Sequence, residues 1–342
     1  MNYIGSKQKL SDFIKTTIYN VVGNDLSHKI FCDLFAGTGI VGRNFKKEVK
    51  QVIANDFEYY SFVLNKNYIE NHLPIKDQEE LINQLNSLPL IEDGFIYQNY
   101  CLGSGSERQY FSDFNGKKID TIRSKIAEWK NLDKIDENQY YFLLASLLES
   151  ADKVANTASV YGAFLKKLKK SAQKDLILQP ASFDLNNNEH IVFNKNSNDL
   201  IKEIKGDILY LDPPYNARQY GANYHLLNTI AKYEKFEPKG KTGLPEYQKS
   251  KYCSKNTVLN EFEYLIKSAN FEYIFLSYNN EGLMSSLDIQ NIMSKYGEYS
   301  LEVIDYQRFK ADSNRYNKTD TTQEFLHILK KNREQNEQHT QP

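Results

Sequence analysis

The stretch that most constrains the fold is a short apolar run that ends at two consecutive prolines. Residues 207–211 read Asp-Ile-Leu-Tyr-Leu and leave no room for a helix between Gly206 and the prolines. Such a run predicts a buried strand. The strand must leave its sheet just after Asp212, because Pro213 and Pro214 cannot continue a ladder of backbone hydrogen bonds. Ligands of open α/β sheets bind at the carboxyl ends of strands, so a ligand site is expected there.

The residues after this strand suggest a specific chemistry. The Asp212 carboxylate and the Pro213 carbonyl can accept the two hydrogens of an exocyclic amino group. Tyr215 can stack on the ring that carries this group, for about 1–3 kcal/mol per base. The site would hold a planar amino-heterocycle with its amino nitrogen open to an electrophile. The structural alternative is a Pro-Pro loop in which Asp212 only caps a turn.

A second site is predicted near the amino terminus. Residues 29–35 read as a buried strand, and residues 36–42 follow with the pattern Gly-x-Gly-x-x-Gly before a predicted helix over 41–48. A further strand over 51–54 leads to Asp56, about 20 residues after the glycine loop, where an acid hydrogen-bonds a ribose diol. This combination favours a nucleoside-containing cofactor over a purely structural turn.

Composition narrows the class of protein. The 342 residues are 40% hydrophobic and 25% charged, which fits one large domain or a domain with an insert. A net charge of −1 excludes an overall basic coat, so a nucleic-acid surface must be a local patch. Cys32, Cys101 and Cys253 lie too far apart to indicate a zinc site or a disulfide framework, and no metal is expected. No membrane segment or signal sequence is recognised, which predicts a cytoplasmic protein with no membrane partner.

The order of predicted elements gives a domain plan. The sequence is helical and non-repetitive after residue 70, and sheet-like sequence resumes at residue 190. We predict a discontinuous, doubly wound α/β domain over 1–70 and 190–330, closed by an antiparallel pair of strands. A mainly helical insert over 71–189 separates its halves. The polar tail over 331–342 is expected to be disordered.

Basic and aromatic residues outside the two sites are candidates for nucleic-acid contacts. One cationic segment covers residues 166–174, and a basic, aromatic-studded loop covers residues 235–255. Such runs are usually solvated surfaces, but beside a base-binding site they become candidate phosphate contacts. The candidate residues for these nucleic-acid contacts are Arg218, Tyr220, Lys166, Lys167, Lys239 and Lys241.

Four motifs in a fixed order resemble a known family. They are Asn2–Lys7, Asp33–Gly39, Asp56 and Asp212–Tyr215, with the insert placed before the last of them. The chain thereby resembles the Dam-like, alpha-group adenine-N6 DNA methyltransferases, in the branch of restriction-system modification methylases. The resemblance implies a seven-stranded, Rossmann-like methyltransferase sheet that binds S-adenosylmethionine, and a target-recognition role for the insert.

The same resemblance assigns roles to individual residues. Asp212, Pro213 and Tyr215 would be catalytic. The cofactor contacts would come from Tyr3, Lys7, Asp33, Phe35, Ala36, Gly37, Gly39, Asp56 and Asn196. At the last position family members often carry an aspartate for the cofactor adenine. Asn196 can still accept from an adenine amino group, but it brings no charge.

The implied activity is methyl transfer from S-adenosylmethionine to N6 of a flipped-out adenine in double-stranded DNA. The resemblance implies a monomer or weak dimer in a prokaryotic or phage-infected cytoplasm, associated with the nucleoid, with a cognate restriction endonuclease as a candidate partner. The alternatives are an RNA adenine or cytosine-N4 methyltransferase, and a non-catalytic DNA-binding relic. A nicotinamide or flavin oxidoreductase would share the glycine loop but leaves 212–215 without a role.

Overall fold

A computed structural model of the chain describes residues 10–307 and 321–332. Tyr3 and Lys7, two of the proposed cofactor contacts, lie outside the described residues, as do residues 308–320 and the part of the predicted tail after residue 332.

The described residues form two compact units. The sheet unit comprises residues 10–57, 188–219, 249–307 and 321–332. The helical unit comprises residues 58–187 and 220–248. The assignment of catalytic and target-recognition roles to parts of the chain remains a prediction.

The sheet unit is built on seven strands in the order β3-β2-β1-β4-β5-β7-β6. Their bounds are β1 (Ile30–Asp33), β2 (Gln51–Asn55), β3 (Ile191–Phe193), β4 (Lys205–Leu211), β5 (Asn270–Asn279), β6 (Gly297–Gln307) and β7 (Thr321–Lys331). The pairs among β1 to β5 are parallel, and β7 runs antiparallel to both β5 and β6. The predicted seven-stranded sheet and its closing antiparallel pair are confirmed.

Helices cover both faces of this sheet. The α-helices of the described residues are α1 (Ser11–Val22), α2 (Ile40–Phe45), α3 (Tyr59–Asn65), α4 (Gln78–Ser87), α5 (Phe95–Tyr100), α6 (Asp113–Asn131), α7 (Glu137–Val154), α8 (Ser197–Leu200), α9 (Tyr220–Asn223), α10 (His225–Lys232), α11 (Val258–Ser268) and α12 (Ser286–Met293). Phe31 of β1 stacks on Phe45 of α2 at 4.4 Å between ring centroids, whereas Cys32 shares a buried cluster with Phe262 of α11 and Ile289 of α12. Alternate residues of one strand thus meet opposite helical layers, and the doubly wound class is confirmed.

The helical unit contains α3 to α7, α9 and α10. The start of α7 is fixed by a capping box, in which Asp136 Oδ1 accepts from the Gln139 backbone and Gln139 Oε1 accepts from the Asp136 backbone. The start of α6 at Asp113 is fixed by Ser112, whose side chain accepts from the backbone of Asn115. The α3 helix ends at Asn65, and a π-helical turn over Lys66–Glu70 continues directly from it.

Candidate active site

Three aspartates meet at the carboxyl edge of the sheet. Asp33 is the last residue of β1, Asp56 follows β2, and Asp212 follows β4. Asp33 lies opposite Tyr210 of β4 and Ala54 of β2 in the parallel register. Burial raises the pKa of the Asp33 carboxyl, and the charges of Asp212 and Asp56 raise it further. The two sites that the sequence predicted separately are therefore neighbours at one edge.

Asp33 is the buried member of this group. Its exposed fraction is 1%, and its Oδ2 atom accepts from the backbone nitrogen of Gly42 at 3.0 Å. Its Oδ1 atom has no hydrogen-bond partner within the described part of the chain. Burial is the main reason why the pKa of Asp33 rises to about 8. A cationic ligand group that donates to Oδ1 would compensate this burial.

The glycine loop is held in shape by the end of β2. Gly37 and Gly39 have φ values of +54° and +78°, which glycine adopts without the usual steric penalty. Asp56 Oδ2 accepts from the Gly37 backbone at 2.8 Å, and the Ala36 backbone donates to the Asn55 carbonyl at 2.9 Å. The acid predicted to bind ribose therefore also orients the loop that would face the cofactor.

Asn55 is a positioning residue that sequence reasoning missed. Its side chain is buried and donates to the carbonyls of Leu34 and Lys195, each at 3.1 Å. Its Oδ1 atom accepts from the Lys195 backbone at 3.0 Å. One amide thus ties the end of β2 to the segments that follow β1 and β3. The only sequence signal was a polar residue at the end of an apolar strand, directly before Asp56.

A second missed network lies beside Phe35. The Phe35 and Tyr252 rings pack edge to face, with 5.2 Å between their centroids. The Tyr252 hydroxyl donates to Asn198 Oδ1 at 2.8 Å. Asn198 Nδ2 donates in turn to Glu261 Oε2 at 2.7 Å. These residues come from separate stretches of sequence, so no local pattern could have joined them.

Asn196, the proposed contact to the cofactor adenine, has a structural role as a helix cap. It is the N-cap of α8, and its side-chain oxygen accepts from the Asn198 backbone at 2.9 Å. The oxygen assigned to a cofactor adenine therefore already accepts one hydrogen bond. A carbonyl oxygen has two lone pairs, so a second donor can still be accommodated.

The segment after β4 is partly buried and anchored. Pro213 is buried, whereas Asp212 and Tyr215 are half-buried. The Tyr215 carbonyl accepts from the Leu283 backbone at 2.9 Å, and its side chain packs against the core of the sheet unit. This anchor fixes the path of the chain beyond the prolines and holds Tyr215 on the same sheet edge as Asp212.

The candidate DNA contacts of the sheet unit and the helical unit differ in how they are held. The exposed Arg218 is anchored through its backbone, which donates to Asn216 Oδ1 at 2.9 Å and accepts from the Cys253 thiol at 3.5 Å. Tyr220 begins α9, and its ring stacks on the ring of Tyr224 at 6.1 Å. The Tyr220 ring therefore already has an intramolecular packing role.

Among the lysines in the two basic segments, some have intramolecular partners within the described ranges and others do not. Lys166 and Lys167 are exposed, whereas the neighbouring Lys169 donates to the Thr157 carbonyl at 2.7 Å and has a structural role. Lys239 forms an ion pair with Glu246 at 2.7 Å. Lys241 is exposed and has no hydrogen-bond or ionic partner among the described residues.

Two other kinds of feature are absent from the described residues. Across 10–307 and 321–332, no group of three or more histidine, cysteine, aspartate or glutamate side chains is placed to hold a metal ion. No helix in the same ranges combines the length and apolar character that crossing a membrane requires.

Comparison with known proteins places the chain in a family. Residues 3–294 match the profile of the D12 class N6 adenine-specific DNA methyltransferases. The chain is 65% identical to the type II methyltransferase M.NlaIII of Neisseria lactamica, over 97% of this chain and 99% of that protein. It is 38% identical to the type II methyltransferase M.CviAII of Paramecium bursaria Chlorella virus 1 (91% and 93%) and 40% identical to M.FokI of Planomicrobium okeanokoites, of which it covers half. The chain belongs to the D12 class of N6 adenine-specific DNA methyltransferases.

Proposed function

We propose that this chain is the modification enzyme of a type II restriction-modification system and methylates N6 of adenine at a specific site in double-stranded DNA. The observation that carries the proposal is the placement of Asp33, Asp56 and Asp212 at the carboxyl ends of the neighbouring parallel strands β1, β2 and β4. The near full-length similarity to two type II methyltransferases supports it. A cognate endonuclease, a monomeric or weakly dimeric state and a cytoplasmic location belong to the same proposal.

The residues present fit S-adenosylmethionine as the methyl donor. The unpartnered Oδ1 atom of buried Asp33 suits the ammonium group of this cofactor. Gly37 and Gly39 carry no side chain that would block close approach of the ligand to the loop backbone. Asp56 stands where a ribose diol is expected. When bound, the cofactor would supply an electrophilic methyl group on its sulfonium.

The chain's own residues would hold and orient the target base. A base in a duplex must first be extruded, at a cost of a few kcal/mol. Tyr215 would then stack on the adenine, while the Asp212 carboxylate and the Pro213 carbonyl accept the two amino hydrogens. This pairing aligns the amino nitrogen and stabilises the positive charge that develops on it during transfer.

The test is to identify the product. The purified chain would be incubated with S-adenosylmethionine carrying a labelled methyl group and with genomic DNA that lacks adenine methylation, or with RNA, and the nucleic acid digested to nucleosides. We expect label in N6-methyldeoxyadenosine. Label in N4-methyldeoxycytidine or only in RNA would replace the proposal with the corresponding methyltransferase. Cofactor binding without any transfer would indicate a non-catalytic relic.

A further inference from the structure

The helical unit contains a small turn whose shape is unusually well determined. Lys239 and Leu244 exchange backbone hydrogen bonds of 2.9 and 2.8 Å, which close the residues between them into a tight turn. Gly240 and Gly243 have φ values of +67° and +71°, in the left-handed region that other residues enter at a steric cost. In the sequence this stretch reads as part of a flexible basic loop, yet its backbone geometry is specified at both ends.

Two side chains that are distant in sequence donate hydrogen bonds to the backbone of this turn. The hydroxyl of fully buried Tyr100 donates to the Gly243 carbonyl at 2.7 Å. The guanidinium of Arg108 donates from Nη2 to the Gly240 carbonyl at 3.0 Å and from Nη1 to the Asn99 carbonyl at 3.1 Å. We name Tyr100 and Arg108 the turn latch. It fixes both glycine carbonyls of the turn.

The packing against the latch is close on one side of the turn only. A Cβ atom on Gly243 would lie 2.7 Å from Cε1 of Tyr100 and 2.9 Å from Nε of Arg108. A Cβ atom on Gly240 would meet nothing within 4 Å. Both glycines have left-handed backbone conformations, but only Gly243 lies against the latch. Substitutions at the two positions therefore distinguish the effect of backbone strain from the effect of a collision with the latch.

The charges on the turn are distributed unequally. Lys239 is paired with Glu246, so its charge is largely satisfied within the chain. Lys241 lies between the two glycines, is exposed, and has no intramolecular partner among the described residues. The turn therefore carries one ammonium group unpaired within the described chain, that of Lys241, on a backbone that the latch already orders.

We propose that the turn over 239–244 is a preformed DNA-contact element, in which Tyr100 and Arg108 are positioning residues that hold Lys241 against a DNA phosphate. The proposal rests on the proposed function, because it takes duplex DNA as the partner. Phosphate contacts set the register of a protein on its duplex, and a cation on an ordered turn loses less conformational freedom on binding than one on a flexible loop. The insert thus contributes to recognition by shaping a segment that follows the catalytic motif.

The first experiment measures how binding to a mixed-sequence duplex depends on salt. One phosphate contact accounts for a slope of about 0.9 in log K against log salt, so Lys241→Ala should reduce the slope by about that amount. Lys134→Ala removes an exposed lysine from another loop of the same unit and should leave the slope unchanged.

A double-mutant cycle then tests positioning. Arg108→Lys keeps the charge but cannot reach the Gly240 and Asn99 carbonyls together. In this background, Lys241→Ala should change the slope by clearly less than it does in the wild type. A purely structural role of Arg108 would lower thermal stability and leave the effect of Lys241→Ala intact, which would overturn the proposal.

The glycine pair provides a matched control. Gly240→Ala and Gly243→Ala introduce the same left-handed strain, but only the second collides with the latch. We expect Gly243→Ala to weaken duplex binding at least about fivefold more than Gly240→Ala, with S-adenosylmethionine binding unchanged in both. Equal effects would contradict the proposal. If the wild type binds the cofactor but no duplex at all, the proposed function itself fails, whereas duplex binding that ignores Lys241 overturns only this inference.

Discussion

The sheet unit and the helical unit place their candidate functional groups in different ways. In the sheet unit, Asp33 contacts Gly42 nine residues later, and Asp56 contacts Gly37 across 19 residues. In the helical unit, the contacts of Arg108 with Gly240 and of Tyr100 with Gly243 span 132 and 143 residues. The comparison teaches that the contacts which shape the glycine loop join residues close in sequence, whereas the shape of the 239–244 turn depends on contacts between distant residues.

The largest effect is expected from breaking a long-range contact in the helical unit. Arg123 of α6 is buried and donates to the carbonyls of Ile230, Ala231 and Lys232 at the end of α10. Arg123→Met should lower the free energy of unfolding by about 3 kcal/mol or more, because buried carbonyls lose charged donors. Urea denaturation measures this change.

The control comes from the same helix. Lys125 forms only an exposed ion pair with Glu128, so Lys125→Met should change the free energy of unfolding by about 0.5 kcal/mol or less. Similar losses in the two variants would mean that the contact between α6 and α10 is not a major source of stability.

The next effect concerns the protonation of Asp33 in the sheet unit. Its pKa rises from 3.8 to about 8, so between these values the folded chain holds a proton that the unfolded chain releases. The free energy of unfolding of the ligand-free protein should therefore fall as pH rises through this window, by about 1.4 kcal/mol for each pH unit. In the Asp33→Asn variant, which has no carboxyl to titrate, the free energy of unfolding should depend much less on pH between these two values.

If Asp33 holds the cofactor ammonium as proposed, the affinity for S-adenosylmethionine depends on pH. An ammonium group that donates to Asp33 favours the ionised carboxylate, so S-adenosylmethionine affinity should increase as pH rises towards the raised pKa of this carboxyl. Calorimetry at several pH values would detect this trend and its loss in Asp33→Asn. A wild-type affinity that does not change with pH would argue against this contact.

Tyr215 tests whether an aromatic ring alone is sufficient in the candidate catalytic segment over 212–215. Tyr215→Ala should lower kcat/KM about tenfold to a hundredfold, because a base–aromatic stack contributes about 1–3 kcal/mol. Tyr215→Phe keeps the ring, so its kcat/KM should stay within about threefold of the wild-type value. A threefold change is smaller than the change expected from losing about 1 kcal/mol, the lower end of the stacking energy. Steady-state methylation of DNA would compare them. A large loss in the phenylalanine variant would assign the role to the hydroxyl instead.

The smallest effect is expected from the exposed lysines 166 and 167. If both contact phosphates, replacing them with alanine should reduce the salt slope of duplex binding by about 1.8. Lys169 serves as the contrast, because its ammonium already donates to the Thr157 carbonyl and its loss should act on stability. An unchanged slope would make the 166–167 pair a solvated surface.

The sequence predicted the sheet and its aspartates because both follow from short-range rules. Strand ends, prolines and glycines determine where Asp33, Asp56 and Asp212 stand, and parallel strands bring such ends to one edge. Asn55 and Tyr252 were missed because their importance lies in partners that only the folded chain brings near. Arg108 follows a Gly-Ser-rich stretch, a composition typical of flexible loops. In the folded chain the hydroxyls of Ser104 and Ser106 both donate to the Cys101 carbonyl and order that stretch.

The most direct test of the central claim compares two aspartates at opposite ends of the same strand. Asp212 stands after the carboxyl end of β4, whereas Asp207 stands near its amino end and bonds to Ile30 and Lys29. Single-turnover methyl transfer to DNA would be measured for Asp212→Ala and Asp207→Ala, alongside S-adenosylmethionine binding. We expect Asp212→Ala to lose at least about 1,000-fold in rate while still binding the cofactor, and Asp207→Ala to remain active. Near-normal transfer by Asp212→Ala would contradict the account.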